Sequence, residues 1–484
     1  MEWKIYRSLT NHADAETEQE AERVAALLFD ASVNQVRQIL VDIAQLQPQA
    51  EQEADLFLQL WGFVRQIPGA AQCIPLQAAP LWAEKGQLFY GFLISQLQAV
   101  QAGLPAEQYV GRMRAEVEQV EAHKKAAYAF LPKTVPAWYR QNARIFPWRQ
   151  DREPYHIWLS EIMLQQTRAA AVVPYYLRFL QELPTIADLA AAKEEKVLKL
   201  WEGLGYYSRA RNLQRAAQVI LREHGGVFPR GIKEIRALPG IGAYTAGAIA
   251  AICFNQPEPA VDGNVLRVLT RLMGDFRPIE RPEVRREMES CLRSCYPLDD
   301  CNGFEQGLIE LGATVCPPAG QPQCLCCPLQ QVCSAQRQGV PMLLPRRLPK
   351  QRRRVEKKTV LLLQCGKNIA VRRRPYKGLL AGLWEFPNLD GHLNAQQALD
   401  AAQALGVQPV RLEQMLQRTH IFTHVEWQMQ GFFIRCAAEA PGLEWAGADA
   451  LGKQIALPSA FKIFLADALT EKPSKAAKTG EKLP

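Results

Sequence analysis

Hydrophobic residues in the first quarter of the chain recur at helical spacing. In QVRQILVDIAQL, Val36, Ile39, Leu40 and Ile43 fall on one face; in EADLFLQLWGFVRQI, Leu56, Phe57, Leu60, Trp61 and Val64 make a second stripe. Pro68, Pro75 and Pro80 interrupt the pattern. This predicts a mainly α N-terminal extension over residues 1–128, carrying no chemical motif. Residues 129–345 continue the helical spacing and predict an all-α block.

The period changes farther along. TVLLLQ, IAVRRR and VEWQMQGFFIR read as strands, with LWEF as a further short one. KTVLLLQCGKNIAVRRR reads as a hairpin turning near Gly366–Asn368, while NAQQALDAAQAL and SAFKIFLADAL read as helices. An α+β domain is expected over 359–470, and a disordered tail over 471–484. Between the blocks, residues 346–358 set eight Lys/Arg against the single acid Glu356. That basic linker is either a solvated connector or a phosphate-contacting one.

Composition narrows the class. Of 484 residues, 48% are hydrophobic and 22% charged, which excludes a mainly disordered chain. No uninterrupted apolar run reaches the ~20 residues of a membrane span. The first residues lack the apolar centre of a secretory signal, so a cytoplasmic or nucleoid-associated, reducing location is expected. Net charge is +8, but the first 120 residues hold 8 Lys/Arg against 15 Asp/Glu, leaving the remainder strongly basic. A basic body favours an anionic partner, of which nucleic acid is the commonest.

Nine of the twelve cysteines fall between Cys253 and Cys333. Such clustering favours a metal or cluster site over disulfides. Cys316, Cys324, Cys327 and Cys333 are separated by seven, two and five residues. Four thiolates so spaced suit a [4Fe–4S] cluster, and zinc would accept them too. Cys326 is a competing thiol, and Cys327 is preferred by spacing alone. Cys73, Cys365 and Cys436 read as small buried hydrophobes.

In IRALPGIGAYTAGAIAAI, Gly240 and Gly242 lie between two helical runs. They permit a tight turn whose amides can meet a phosphate, the signature of a helix-hairpin-helix element that grips a nucleic-acid backbone. Asp262 follows twenty residues after Gly242, with Asn264 and Arg267 in the next turn. It reads as a helix N-cap or as a carboxylate facing the held strand. Glu161, in HIWLSEIMLQQT, has apolar neighbours that would raise its pKa; a helix-start cap at Ser160 or Glu161 is the competing reading. Gln165 and Gln166 offer amides suited to base edges. Tyr206 and Tyr207 offer a wedge between bases, with Arg209 and Arg211 beside them for phosphates.

FPWR at 146–149, WLSEIMLQQT at 158–167, GLGYYSRARN at 203–212, LPGIGAYTAGAI at 238–249, VDGNVLRVL at 261–269 and the cysteine run occur in order across most of residues 138–335. They resemble the endonuclease III superfamily of helix-hairpin-helix DNA glycosylases, and within it the MutY-type adenine glycosylases. The resemblance implies hydrolysis of the N-glycosidic bond of adenine paired with 8-oxoguanine, or with guanine, in base excision repair. It implies Glu161 as the acid, Asp262 as the carboxylate that stabilises the sugar cation, and Asn264 as a supporting group. Burial would raise the pKa of Glu161, while the helix start would lower that of Asp262. Tyr244 stands where bifunctional relatives carry a lysine, so little or no lyase activity is expected. Tyr244 either bonds near Asp262 or packs in the core. Gln166 would contact the opposite base and Tyr206 would intercalate beside it. The four cysteines would hold [4Fe–4S], although the family's first gap is usually one residue shorter.

RRRPYKGLLAGLWEFP and RTHIFTHVEW resemble the Nudix-like domain of the same family, which implies recognition of 8-oxoguanine through Thr423 and His424. Thr423 stands where serine is usual. The acidic helix of a working Nudix hydrolase is missing after Gly382. The alternatives are a bifunctional glycosylase/lyase acting on oxidised pyrimidines, a non-catalytic DNA-binding scaffold, and a Nudix-type metabolite hydrolase. A monomer is expected, and the sequence names no partner for residues 1–128.

Overall fold

The structure, a computed structural model, describes residues 106–275, 277–348 and 353–465. The stripes at 36–43 and 56–64 and the tail at 471–484 lie outside the described residues. In chain order the main helices are α1 (Ala106–Asn142), α2 (Pro154–Leu164), α3 (Ala169–Glu182), α4 (Ile186–Ala191), α5 (Glu194–Leu200), α6 (Ser208–Glu223), α7 (Ile232–Ala237), α8 (Ala243–Phe254), α9 (Gly263–Met273), α10 (Pro282–Cys295), α11 (Cys301–Thr314) and α12 (Ser334–Arg337). There follow β1 (Arg354–Cys365), β2 (Asn368–Arg373), β3 (Trp384–Glu385), β4 (Asn388–Asp390), α13 (Ala395–Ala404), β5 (Pro409–Ile421), β6 (Val425–Cys436), β7 (Glu444–Ala446), α14 (Ala448–Lys453) and α15 (Ser459–Lys462).

The chain forms two compact units, each assembled from two stretches. One combines residues 106–145 with 243–348; the other combines 146–242 with 353–465. In the first, α11 packs against α1, α8 and α9. Tyr128, Leu131, Val135 and Tyr139 recur at three- and four-residue spacing along α1 and are all buried. The boundary read between residues 128 and 129 therefore falls inside a helix, because the apolar stripe runs unbroken through it. Gly312 brings α11 against the start of α9: a Cβ there would sit 2.7 Å from Asn264 Cβ.

In the second unit, α2 packs on α3 and α6, while α4 and α5 pack on α6. Trp158, Tyr176, Phe179 and Trp201 are almost fully buried there. Burial of each such side chain contributes about 1.5–3 kcal/mol.

The sheet of this unit runs β3-β2-β1-β6-β5, with β4 paired to β1 and β7 to β2. β1 and β6 are parallel. Val360 and Leu362 enter one core cluster, and Leu361 and Leu363 the other. Both faces of β1 are thus covered, which is why TVLLLQ is a continuous apolar run rather than an alternating one. The first hairpin pairs Cys365 with Asn368 across Gly366 and Lys367. β1 begins at Arg354, opposite Val425, so the last five residues of the basic linker are strand rather than connector. β5 has no counterpart among the strands read from the pattern. It lies at the sheet edge: from Met415 to Ile421 its positions alternate in exposure, but Arg418 and His420 share the less exposed positions with Leu416, and register shifts near Arg411 and Gln414 break the period, so its residue types show no apolar alternation.

The α+β region abuts α5 and α6 within this unit. Lys199 donates to the Ile455 carbonyl at 2.9 Å, and Glu202 accepts from the Leu457 amide at 2.9 Å. Arg373 pairs with Glu195 at 2.7 Å. Among the described residues no helix is long and apolar enough to cross a membrane.

Candidate active site and nucleic-acid surface

Glu161 occupies the eighth position of the eleven-residue helix α2 and is only 8% exposed. Trp158, Leu159, Ile162 and Met163 around it are buried. It is therefore not a helix-start cap, and the residue is withdrawn from bulk water together with these apolar neighbours on its helix.

Asp262 is the N-cap of α9. Its Oδ1 accepts from the Asn264 and Val265 amides, both at 2.8 Å, and its Oδ2 accepts from Asn264 Nδ2 at 2.7 Å. Burial nevertheless raises its pKa above the ordinary value, against those hydrogen bonds and the nearby Arg267 charge. This reverses the expected lowering by the helix start. Two amide donors favour the carboxylate, but removing it from water costs more.

The Asn264 amide is fixed at its other end. Its Oδ1 accepts from Arg267 Nη2 at 2.8 Å, and the same guanidinium donates to the carbonyls of Gly312 at 2.6 Å and Cys316 at 2.7 Å. Sequence inspection noted Arg267 only as a neighbour of Asp262. Its link to the cysteine loop spans 49 residues and leaves no local signal. Tyr244 is half-buried in the first turn of α8. Glu161 belongs to one unit, and Asp262, Asn264 and Tyr244 to the other.

The hairpin follows α7. Leu238 donates to the Ile235 carbonyl and Ile241 to the Leu238 carbonyl, which leaves Gly240 and Gly242 exposed at the tip. Gly240 has φ +77°, and a Cβ there would lie 2.6 Å from Asn212 Cβ, so both backbone and space demand glycine.

Gln165 ends α2 and Gln166 follows it, exposed, with φ +59°. Tyr206 is 46% exposed at φ +47°. Such angles are uncommon outside glycine and concentrate at functional sites. The Tyr206 hydroxyl meets Thr423 Oγ1 in the exposed turn between β5 and β6. His424 is also exposed, and its carbonyl accepts from the Arg354 amide at 3.1 Å.

Three other residues read as duplex contacts are engaged elsewhere. Tyr207 is only 6% exposed, and burial pushes its phenol pKa up, so it packs in the core and offers no wedge. Arg211 pairs with Glu194 at 2.8 Å and donates to the Ala381 carbonyl at 2.7 Å. Arg209 donates to five protein carbonyls. Neither guanidinium points to a phosphate role, because buried cations bind the acceptors that their surroundings supply.

Cys316, Cys324, Cys327 and Cys333 are partly buried, whereas Cys326 is exposed. Burial raises Cys327 to about 12, with the charges of Cys316, Cys333 and Cys324 adding to it. Burial also raises Cys333 and Cys324, with Cys316 acting on both. Cys327 is more buried than the adjacent Cys326. Among the described residues no three or more His, Cys, Asp or Glu side chains form a group that could hold a metal ion. The donor chemistry fits an iron–sulfur cluster: soft sulfur ligands, a low-dielectric setting, and Arg271 Nη1 3.1 Å from Cys316 Sγ.

Comparison with known proteins places the chain in a family. The HhH-GPD superfamily base excision DNA repair protein model matches residues 159–294, and a NUDIX domain model matches 359–467. The adenine DNA glycosylase of Mus musculus is 33% identical over 372 residues, covering 64% of this chain and 72% of that protein. The Rattus norvegicus adenine DNA glycosylase is 34% identical, covering 63% and 70%. The Homo sapiens adenine DNA glycosylase is 31% identical over 410 residues, covering 72% and 75%. With a carboxylate in an apolar helix, a second one capping α9, and relatives more than 30% identical that are covered over 70% or more of their own length, the chain belongs to the adenine DNA glycosylase family.

Proposed function

We propose that the protein removes adenine opposite 8-oxoguanine, and opposite guanine, by hydrolysing the N-glycosidic bond in base excision repair. The observation that carries this is the buried carboxyl of Glu161, in a family whose members are adenine DNA glycosylases. Purine is a poor leaving group until a ring nitrogen is protonated, and the buried carboxyl of Glu161 would supply the proton to N7. Asp262, ionised in the reacting state, stabilises the positive charge that develops on the sugar. Asn264, bonded to both Asp262 and Arg267, fixes its orientation. Tyr244 supplies no amine for a Schiff base, which fits hydrolysis without strand cleavage. The hairpin at Gly240–Gly242 would grip the backbone while the target base is turned out of the stack.

Gln166 and Tyr206 would meet the opposite base, with the Thr423–His424 turn reading its oxidised edge. Incubation with A:8-oxoguanine and with thymine glycol:A duplexes, followed by alkali, tests the activity. Cleavage only after alkali, and only on the adenine strand, is expected; alkali-independent nicking at thymine glycol would overturn it. Thr423→Val keeps the shape of the turn and removes the hydroxyl. It should lower the preference for A:8-oxoguanine over A:G by about five- to 150-fold, the equivalent of about 1–3 kcal/mol at a base edge. An unchanged ratio of single-turnover rates would exclude Thr423 from that recognition.

Cys316, Cys324, Cys327 and Cys333 would hold a [4Fe–4S] cluster, which in this position supplies structural support to the α9–α11 region rather than bond-breaking chemistry. Cys327→Ser should lose iron and the brown colour, whereas Cys326→Ser should keep about four irons per chain. Metal analysis of the two purified variants decides between the adjacent thiols, and stoichiometric zinc without iron would defeat the cluster.

A further inference from the structure

We infer that Arg209 is a positioning residue that ties the end of the catalytic helix to the loop presenting Tyr206, and so sets the two side chains that meet the opposite base. This rests on the proposed roles of Gln166 and Tyr206. Three carbonyls at the end of α2 converge on Arg209 Nη1: Ile162 at 2.6 Å, Met163 at 3.2 Å and Gln165 at 2.8 Å. Two carbonyls of the other loop converge on Nη2: Leu204 at 3.0 Å and Gly205 at 3.2 Å. The last carbonyls of a helix have no intrahelical donors, and a cation at that end is favoured by the helix dipole. Arg209 therefore acts as the C-terminal cap of α2 while holding a second segment in the same grip.

The two segments share an uncommon property. Gln166, directly after the Gln165 carbonyl, has φ +59°, and Tyr206, directly after the Gly205 carbonyl, has φ +47°. A non-glycine residue in this region persists only where its surroundings over-determine it. Here one guanidinium binds the carbonyl immediately before each strained residue. The Trp201 and Tyr206 rings lie against it at 5.3 and 5.7 Å, and Trp201 Nε1 donates to the Gly205 carbonyl at 3.1 Å. Lysine at this position would keep the charge, but its compact ammonium cannot span both groups of carbonyls as a planar fork does.

The test compares single-turnover excision from A:8-oxoguanine and A:G duplexes, normalised to titrated active sites, for wild type, Arg209→Lys, Arg209→Met, Gln166→Ala and Tyr206→Ala. Arg209→Lys should lower the preference for A:8-oxoguanine by about tenfold to a hundredfold, the scale at which a misplacement of about 1 Å acts, while excision from A:G per active site changes little. Arg209→Met leaves five carbonyls without their donor and should lose thermal stability as well, so the lysine variant carries the decision. Equal losses on both duplexes in Arg209→Lys would overturn the inference, because loss of structural support alone does not distinguish opposite bases. An unchanged ratio in Arg209→Lys, with a lowered ratio in Gln166→Ala and Tyr206→Ala, would also overturn it. Should those two alanine variants keep the wild-type ratio, the opposite-base roles themselves fall, and the inference with them.

Discussion

Glu161→Gln binds an A:8-oxoguanine duplex about as tightly as the parent but excises adenine about 10²–10⁴-fold more slowly, the range that general acid catalysis supplies. The amide is isosteric and neutral, so the buried position on α2 accepts it without an unpaired charge. What it lacks is a transferable proton. The binding surface, at the hairpin and at Gln166 and Tyr206, is untouched, which separates binding from chemistry. Single-turnover rates and duplex affinities measured together decide the matter. A rate within about threefold of wild type would remove Glu161 from the acid role.

Asp262→Asn has the second large effect, and a less usual signature. Asparagine caps a helix about as well as aspartate, so α9 keeps its start. Excision should nevertheless fall by about 10²–10³-fold, because the developing sugar cation loses its counter-charge. The pH dependence has a defined sign. Burial raises the Asp262 pKa, so its ionised form appears only above the ordinary carboxylate range, and excision should decline as pH is lowered through that raised value. Stability runs the other way. A folded-state pKa above the unfolded one favours folding fully below the unfolded value, and that contribution is lost as pH rises through the folded value. At neutral pH the buried charge is a burden on the fold, but asparagine sets a donating N–H against Asn264 Nδ2, which donates to Oδ2 in the parent; the two effects oppose each other, and the melting temperature should change little. Thermal denaturation alongside a pH–rate profile checks both halves. A variant that excises adenine normally contradicts the assignment.

The parts of the protein legible in its sequence are those whose physics is local. The Asp262 cap closes within three residues, through the amides of Asn264 and Val265. The hairpin needs only Gly240, Gly242 and their apolar flanks. The strand period of β6 and the doubly buried run of β1 follow from side chains that alternate or cluster within ten residues.

What escaped depends on neighbours that are remote along the chain. Arg209 lies 44 to 47 residues from the carbonyls it caps, and nothing around position 209 distinguishes a phosphate contact from an internal staple. Arg211 meets the Ala381 carbonyl 170 residues away. Tyr206 and Tyr207 are adjacent and chemically identical, yet packing buries one and exposes the other. β5 is an edge strand whose less exposed positions include Arg418 and His420, so no apolar alternation betrays it. The sign of the Asp262 shift was out of reach for a related reason. Capping amides can be read from the next three residues, but desolvation is set by everything folded around the carboxylate, and here desolvation is the larger effect.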